Sequence, residues 1–331
     1  MDIALCRSSL DMFAGKRVLV VGDLMLDEHI WGTVGRISPE APVMVVEVDS
    51  PQTDCMPGGA ANVANNIRAL GGAASIVGVI GDDEGGSILL SSLKSAGVDV
   101  SGVFVDKHRP TTRKTRIWAS HRHQVVRVDR ESKRKISPGV VKKIIEYVSD
   151  CAASTDSLLI SDYNKGVATR ETVSAIIRIA DRHNKVSASN PKPKSVPYYA
   201  GIGVMTLNQS EAVAASGVDI DDVSDVEKAG RKLLNLTHCK RLVITRGGHG
   251  MTVFGGPDDI HHIPAIESEV YDVAGAGDTV VSALTLALSC GLDIASAAMI
   301  ANCAAGAVVR KVGVATTTLD EISALLAGTF K

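Results

Sequence analysis

The feature that most constrains the fold of this chain is a repeated alternation of short β-branched runs with helical patterns. Residues 17–21 form one such run, which ends in Gly22-Asp23, and residues 157–160 form another, followed by a polar loop and a helical pattern over 172–183. Buried parallel strands read as continuous apolar runs, and strands that alternate with helices are typical of a doubly wound sheet. With 331 residues and 45% hydrophobic content, the chain can bury a large core. We therefore predict a single α/β domain over residues 1–331, with a mainly parallel sheet flanked by helices.

Two pairs of strand-like segments interrupt this alternation. The first pair covers residues 29–34 and 43–48, and the second covers residues 115–119 and 124–128. Each pair is predicted to form a hairpin outside the main sheet. Together they would form a small β lid, with its strands inside residues 28–54 and 111–130. Apolar residues exposed on this lid predict a homodimer contact.

Charge and cysteine usage exclude several classes of partner. A formal net charge of −2, from 35 basic and 37 acidic residues, provides no field that would attract nucleic acid or a membrane surface. The six cysteines are scattered without CxxC pairs, which indicates reduced thiols in a cytosol. The first residues lack the apolar core of a signal peptide, and the apolar segment 280–288 is too short to span a bilayer. We expect a cytoplasmic protein with no nucleic-acid or membrane partner.

The turn Gly275-Ala276-Gly277-Asp278 precedes a long apolar helical pattern. Free N–H groups in the first turn of a helix bind anions, and phosphate is the obvious ligand. A carboxylate beside a bound anion is repelled unless it has another use, such as accepting a proton. The alternative is that Asp278 only caps the helix. The motif by itself leaves both interpretations open.

Polar residues near the first strand and the following helix suggest a binding opening. Asp23 and Asp27 follow the first strand, where ligands gather in open α/β sheets, so they would bind polyol hydroxyls or else cap turns. Gly58-Gly59 would let a ligand approach the backbone, with Asn62 pointing into the same opening. The alternative for these glycines is close packing of a helix rich in small residues.

Further polar loops follow later strand-like runs. Lys165 and Lys192 would hold a substrate phosphate or only solvate the surface. Glu211 would hold hydrated Mg²⁺ or act as a first-turn helix acid. The glycines after Thr245 would let nucleotide phosphates approach the main chain. Asn302 lies in a small-residue helix that would pack against a flat base or against another helix.

The order of these motifs resembles the ribokinase-like (PfkB) carbohydrate kinases over nearly the whole chain. The motifs that carry the resemblance are Asp23, Gly58-Gly59, Asn208-x-x-Glu211, Thr245-Arg246-Gly247-Gly248 and Gly275-Ala276-Gly277-Asp278. Segments 21–27, 36–43, 57–64 and 161–166 resemble more closely the D-glycero-β-D-manno-heptose 7-phosphate kinase branch. The resemblance implies a ribokinase-like fold, ATP as co-substrate and Mg²⁺, and it leaves a monovalent cation open.

The same resemblance implies phosphorylation of the anomeric O1 of the heptose 7-phosphate, on the way to ADP-heptose and lipopolysaccharide. Asp278 then takes the position of the catalytic base, and Gly275, Ala276 and Gly277 that of the anion hole. The residues implied for nucleotide binding are Asn208, Gln209, Ser210, Glu211, Thr245, Arg246, Gly247, Gly248, Gly250 and Asn302, with Glu211 also holding Mg²⁺ through water. Those implied for substrate binding are Asp23, Asp27, Gly58, Gly59, Asn62, Asp162, Arg116, Arg122, Lys165 and Lys192.

One motif departs from the family pattern, and several alternatives remain. Ser189-Asn190-Pro191-Lys192-Pro193 stands where the family usually has Asp-Pro-Lys-Gly, which leaves the role of Asn190 open. Some family members carry a fused nucleotidylyltransferase, which we do not expect here. A kinase for another sugar and a non-catalytic sugar-phosphate sensor are alternatives. A dehydrogenase and a P-loop kinase are set aside, since their glycine motifs are missing from the expected places.

Overall fold

The computed structural model describes residues 3–48, 53–119, 123–266 and 269–329. The strands are β1 (Arg17–Gly22), β2 (Leu24–Trp31), β3 (Thr33–Ile37), β4 (Met44–Glu47), β5 (Asp54–Gly59), β6 (Ala73–Ile80), β7 (Asp99–Val105), β8 (Thr112–Ala119), β9 (His123–Arg130), β10 (Ser157–Ser161), β11 (Val186–Asn190), β12 (Val204–Asn208), β13 (Leu242–Thr245), β14 (Met251–Phe254) and β15 (Ile260–Ile263). The helices are α1 (Ile3–Leu10), α2 (Ala60–Ala69), α3 (Glu84–Ser95), α4 (Pro138–Cys151), α5 (Arg170–Arg182), α6 (Gln209–Ser216), α7 (Val223–Thr237), α8 (Ala276–Ser289), α9 (Ile294–Val308) and α10 (Leu319–Thr329).

The central sheet has the strand order β15-β14-β13-β12-β11-β10-β1-β6-β7. Every neighbouring pair from β7 to β13 is parallel, and β14 and β15 continue the sheet in antiparallel pairing. The carboxyl ends of the parallel strands therefore meet at one edge of the sheet. Gly22, Ser161 and Asn190 are aligned across that edge by the strand register. This edge is where ligands bind in open α/β sheets.

Strand β1 is buried on both faces, as its β-branched run predicts. Val18 and Val20 pack in a core with helices α2, α3, α8 and α9, whereas Leu19 and Val21 pack in a second core with α4, α5 and α7. Successive side chains of a strand point to opposite faces, so helices cover both sides of the sheet. The predicted doubly wound α/β fold is confirmed.

Helix α5 begins two residues before the predicted helical pattern. The Thr169 side chain accepts a hydrogen bond from the Thr172 amide at 3.1 Å and so caps the helix at its N-terminus. A Thr at this position satisfies one of the free N–H groups of the first turn. The apolar pattern alone does not include this polar first turn.

A four-stranded sheet lies beside the main one, in the order β5-β2-β8-β9, with β2 and β8 parallel. The predicted hairpin over 115–128 is observed as β8 and β9. The predicted pairing of 29–34 with 43–48 is only partly correct, because Gly32 separates β2 from β3 and only β3 pairs with β4. Residues 29–31 belong to β2, where they pair with β8. No helix in the described parts of the chain is long and apolar enough to cross a membrane.

Candidate active site

Helix α8 begins at the carboxyl edge of the sheet with the predicted glycine turn. Gly275 precedes the helix with φ of 79°, and a Cβ there would lie 3.1 Å from the Asn62 amide nitrogen, so both conformation and space favour glycine. The Ala276 amide donates to the Val273 carbonyl at 3.3 Å. Among the described residues, the amides of Gly275, Gly277 and Asp278 have no hydrogen-bond partner. The free donors of the turn are thus two of the three predicted glycine-turn amides together with the Asp278 amide, which was not in the predicted set.

The Asp278 carboxylate is only 4% exposed and is held by hydrogen bonds from three side chains. Its Oδ2 accepts from Asn62 Nδ2 at 2.8 Å, and its Oδ1 accepts from Tyr163 Oη at 2.6 Å and from Asn190 Nδ2 at 3.4 Å. Burial raises the pKa of Asp278, and the hydrogen bonds from Tyr163 and Asn62 oppose that rise. The carboxylate does not cap its own helix, whose N-cap is Gly275.

The orientation of the Asn62 amide is set by a chain of buried polar groups. Asn66 Nδ2 donates to the Asn62 side-chain oxygen at 3.2 Å, and Thr279 Oγ1 donates to the Asn66 side-chain oxygen at 2.9 Å. Because the Asn62 oxygen is used as an acceptor, its NH₂ group faces Asp278. The network therefore connects helix α2 with the first turn of α8 and fixes the donor that contacts the carboxylate.

Asp23 holds the loop that follows β10. Its carboxylate accepts from the backbone amides of Tyr163, Lys165 and Val167, each at 2.9 Å. Burial raises the pKa of Asp23, and these backbone donors act in the opposite direction. The Asp23 carboxylate thus caps the turn after β10, which is one of the two roles that the sequence left open. Its contact with a sugar stays a prediction.

Asp162 connects the two loops that follow β10 and β11. It is fully buried and accepts from the Asn164 amide at 2.8 Å, from Tyr199 Oη at 3.2 Å and from Ser195 Oγ. Ser195 Oγ also contacts the Lys192 carbonyl at 2.9 Å. Asp162 therefore positions the Lys192 loop through Ser195, and direct contact of Asp162 with substrate stays a prediction.

The lid packs closely on the sheet edge at two glycines. Asp27 on β2 accepts from Arg116 Nη1 on β8 at 2.5 Å. A Cβ at Gly58 would lie 2.2 Å from Asp27 Oδ2, and one at Gly59, where φ is 60°, would lie 2.5 Å from the Asp23 carbonyl oxygen. These glycines let the chain pass close to the Asp27 side chain and to the main chain at Asp23, so close packing within the protein explains them without a ligand. The charge of Asp27 also contributes to raising the pKa of Asp278. Lys114, opposite Asp27 in the β2–β8 pair, has its Nζ 5.4 Å from the centre of the Tyr163 ring, so this face of the lid is turned toward the site.

The predicted phosphate-binding lysines each have a carboxylate partner. Lys192 Nζ lies 2.7 Å from Glu211 Oε1, and Lys165 Nζ contacts Glu131. Lys192 Nζ also lies 5.0 Å from the centre of the Tyr163 ring, a cation–π distance. Arg122, the other predicted phosphate ligand of the lid loop, lies outside the described residues.

Glu211 has the first-turn helix role that its sequence position suggested, and its alternative role of holding hydrated Mg²⁺ stays a prediction. Its Oε2 accepts from the Asn208 amide at 3.0 Å and its own amide donates to Asn208 Oδ1 at 2.8 Å, which is a complete capping box at the start of α6. Its other oxygen faces Lys192. Neighbouring Gln209 donates to the Ile220 carbonyl at 3.2 Å, and Ser210 is exposed.

Magnesium fits this donor set only through water. In the part of the chain that the structure describes, no group of three or more His, Cys, Asp or Glu side chains is arranged to hold a metal. Mg²⁺ typically keeps several waters and uses one or two carboxylates together with substrate phosphates. Glu211 is a carboxylate that could hold such a hydrated ion, because its partner Lys192 lines the cleft described below.

The turn after β13 exposes the backbone that was predicted to approach a nucleotide. Gly247 and Gly248 are exposed, and a Cβ on either would meet no atom within 4 Å. Gly250 has φ of 79°, and a Cβ there would lie 2.0 Å from the Ile263 carbonyl oxygen, so this position requires glycine. The Arg246 amide closes the turn by donating to the Gly250 carbonyl at 2.7 Å. Thr245 is half-buried at the end of β13.

Asn302 on α9 is buried and donates to the Pro264 carbonyl at 2.8 Å. This bond attaches the chain after β15 to the helix, which agrees with the packing alternative. A contact of Asn302 with a nucleotide base stays a prediction.

An open cleft of about 610 Å³ lies beside these groups. Its lining includes Tyr163 and, from helix α6, Ala214. The remaining lining residues are Asn164, Lys192, Pro193 and Lys194. The volume is that of a small-molecule site. Because Tyr163 contacts Asp278 and Lys192 contacts Glu211, a ligand in this cleft would lie beside a partner of each acid.

A family profile described as pfkB family carbohydrate kinase matches residues 16–321. The chain belongs to the pfkB family of carbohydrate kinases. The predicted membership of this family, and with it the predicted class of ATP-dependent carbohydrate kinase, is confirmed.

Curated pfkB relatives extend this comparison. The chain is 46% identical over 304 residues to the bifunctional protein HldE of Geobacter metallireducens, a match that covers 92% of the chain and 61% of that relative. It is 43% identical over 317 residues to the bifunctional protein HldE of Desulfatibacillum aliphaticivorans, covering 96% and 64% respectively. The chain thus spans less than two thirds of the length of these relatives.

Solved structures of related fold are more distant in sequence. Phosphofructokinase-2 of Escherichia coli in complex with potassium superposes with a TM-score of 0.79 at 20% identity, covering 96% of this chain and 99% of that one. A ribokinase of Arabidopsis thaliana complexed with ribose and ATP superposes with a TM-score of 0.73 at 17% identity, covering 94% and 98%. The predicted ribokinase-like fold is confirmed.

Three residues of this pfkB site were not predicted from the sequence. Tyr163 and Asn190 contact Asp278, and Lys114 lies over the Tyr163 ring. Tyr163 stands in the recognised segment 161–166, so the segment could have indicated it, but a tyrosine after a strand gives no signal of its own. Lys114 stands among other basic residues of β8 and gives no signal at all in the sequence.

Proposed function

We propose that this chain transfers the γ-phosphoryl group of ATP to the anomeric O1 of D-glycero-β-D-manno-heptose 7-phosphate, a step toward ADP-heptose for lipopolysaccharide. The observation that carries the proposal is the buried Asp278 carboxylate beside the free amides of Gly277 and Asp278. A proton acceptor and an anion site then lie within one helical turn. The choice of sugar rests on the heptose-kinase-like segments and on the identity with the HldE relatives.

The proposed reaction forms a bond between O1 and the γ-phosphorus and breaks the bond from that phosphorus to the oxygen that leaves with ADP. The O1 proton goes to Asp278. Because the transition state of phosphoryl transfer is loose, the protein mainly aligns the groups and neutralises charge. The free Gly277 and Asp278 amides would donate to the oxygens of the transferred group.

The environment of Asp278 suits this proton transfer. An anomeric hydroxyl is more acidic than an ordinary alcohol, so a carboxylate can accept its proton late in the reaction. Burial makes the carboxylate a stronger base, while Asn62 and Tyr163 keep it oriented. An incoming O1 hydroxyl would take a place on this carboxylate beside those two donors. When bound, Mg²⁺ would neutralise charge on the phosphate oxygens, with Glu211 holding it through water.

The proposal is tested with a panel of sugars and sugar phosphates in an ATP-consumption assay, followed by NMR of the product. We expect the heptose 7-phosphate to be consumed with the highest kcat/KM and the new phosphate to appear on O1. A product phosphorylated at another hydroxyl would refute the anomeric assignment. ATP consumption with a different sugar of the panel would favour another pfkB activity, and sugar binding without ATP consumption would favour a sensor.

A further inference from the structure

Lys114 lies on the face of the lid that is turned toward the site. It is the register partner of Asp27 in the β2–β8 pair, and side chains that are directly opposite in neighbouring strands share a face. Arg116, two residues further along β8, is on the same face and pairs with Asp27. Lys114 Nζ lies 5.4 Å from the centre of the Tyr163 ring.

Four other cations around this face each have a carboxylate partner. Arg116 pairs with Asp27 at 2.5 Å, Lys192 with Glu211 at 2.7 Å, and Arg127 with Asp129 at 2.8 Å. Lys165 contacts Glu131. Within the described ranges, Lys114 has no carboxylate at salt-bridge distance. It is therefore the cation of this face that an incoming anion can bind without displacing an ion-pair partner.

The surroundings of Lys114 make an unpaired ammonium unfavourable in the ligand-free protein. Burial lowers the pKa of Lys114, and the positive charges of Lys165, Arg116 and Arg127 lower it further, against a rise from Asp27. An ammonium that leaves water without a partner costs free energy, which an anionic ligand would recover. The aromatic ring of Tyr163 compensates only in part, because a cation–π contact is weaker than an ion pair with a bound anion.

The position of Lys114 relative to Asp278 determines which part of a substrate it can contact. The Tyr163 hydroxyl donates to Asp278, and the Tyr163 ring stands beside Lys114. Lys114 and Asp278 therefore contact different parts of the same side chain, Lys114 the ring of Tyr163 and Asp278 its hydroxyl. The position of Lys114 suits a charged substituent remote from the hydroxyl that is phosphorylated.

We propose that Lys114 binds the phosphate group that a phosphorylated sugar substrate carries at the end remote from its reacting hydroxyl. The proposal deepens the proposed function and rests on it. It adds a residue to the predicted phosphate ligands and gives it a specific task, which is to distinguish a sugar phosphate from the corresponding neutral sugar. Arg116, Lys165 and Lys192 keep their carboxylate partners in this arrangement.

The test uses the full chain and compares Lys114→Met with the wild type on heptose 7-phosphate and on the unphosphorylated heptose. Removing a charged hydrogen-bond donor should raise KM for the phosphorylated sugar by roughly 10- to 100-fold. KM for the neutral sugar should stay unchanged, and Lys114→Arg should recover most of the affinity. Lys142→Met, at an exposed lysine on α4 that pairs with Glu146, is the matched control and should change neither value.

Each outcome bears on one of the two proposals. An equal loss on both sugars, or a loss accompanied by a lower unfolding temperature than that of Lys142→Met, would assign Lys114 a structural role and overturn the inference. If the wild type prefers a neutral sugar, the proposed substrate is wrong. The inference is then decided by inorganic phosphate, which should compete with sugar in the wild type and not in Lys114→Met. Absence of that competition in the wild type would overturn it.

Discussion

Asp278 is a residue at which shape and charge can be separated by a single substitution. Asp278→Asn keeps the size of the side chain and removes the proton acceptor, so we expect kcat to fall by about 10² to 10⁴. Calorimetric affinities for ATP and the sugar phosphate should stay close to those of the wild type. Asp222→Asn is the matched control, because Asp222 caps α7 by accepting from the Asp225 amide at 3.0 Å and Asn caps equally well. A near-normal kcat for Asp278→Asn would leave the site without an identified base.

Tyr163 is expected to act through Asp278, as a positioning residue. Its hydroxyl donates to the carboxylate, which stabilises the charged form and lowers the pKa of Asp278. Tyr163→Phe removes this donor, so the pKa of Asp278 should rise further and less of the carboxylate should be ionised at a given acidic pH. The acid limb of the kcat–pH profile should then move to higher pH, with kcat at neutral pH lowered roughly tenfold.

The control for this variant is Tyr147→Phe on helix α4, where Tyr147 packs edge-on against Phe104. Its pH profile should match that of the wild type. A lowered kcat for Tyr163→Phe with an unmoved acid limb would contradict the positioning role, since loss of packing alone changes the rate without changing the ionisation of Asp278.

At the scale of elements, helix α6 combines a capping box with a candidate metal-holding acid. Glu211→Gln retains the capping hydrogen bonds, because Gln also completes the box, and removes the negative charge. We expect an unchanged unfolding temperature and a KM for MgATP raised by roughly 10- to 100-fold. Steady-state kinetics at varied Mg²⁺ concentration and thermal unfolding measure the two effects separately.

Helix α10 provides a closely matched control for Glu211. Glu321 accepts from the Thr318 amide at 2.9 Å, its own amide donates to Thr318 Oγ1 at 3.3 Å, and Lys311 lies 2.7 Å from its carboxylate. Glu321→Gln thus makes the same change in the same local structure and should leave KM for MgATP unaltered. If both variants behave alike, Glu211 is only a helix acid.

At the scale of the whole molecule, the β3–β4 hairpin exposes apolar side chains to solvent. Ile37 is 68% exposed, its pairing partner Met44 is 51% exposed, and Val43 is 56% exposed. An isolated two-stranded hairpin is marginally stable in water and gains from a partner surface. We therefore predict a homodimer through the lid, present at concentrations on the order of tens of micromolar.

Light scattering of the Ile37→Glu variant tests this prediction. A charge buried at the dimer contact should dissociate the dimer, so the variant should be monomeric. Leu236→Glu, at a residue on α7 that is 49% exposed and outside the lid, should leave the dimer intact. A wild-type protein that is monomeric at these concentrations would rule out the lid contact.

Local patterns in the sequence determined the doubly wound fold, the glycine turn before α8 and the presence of polar groups at the strand ends. Each of these depends on contiguous residues: a β-branched run that is buried on both faces, a glycine with positive φ, and an acid placed after a strand. The approximate extents of β1, β10 and α5 follow from the same local signals. The first lid strand was misplaced because the choice between β4 and β8 as a partner depends on residues far away in the chain.

Which polar groups form hydrogen bonds or ion pairs with each other was decided only by the tertiary structure. Asp23 turned out to hold backbone amides of the loop after β10, and Tyr163 to donate to Asp278, 115 positions away. Among the described residues, Lys114 differs from Arg116, Lys165 and Lys192 in having no carboxylate at salt-bridge distance, and a sequence does not record which charges are neutralised. Hydrogen bonds and ion pairs act over a few ångströms, so the distances between side chains from different elements, which the packing of those elements sets, determine the role of each group.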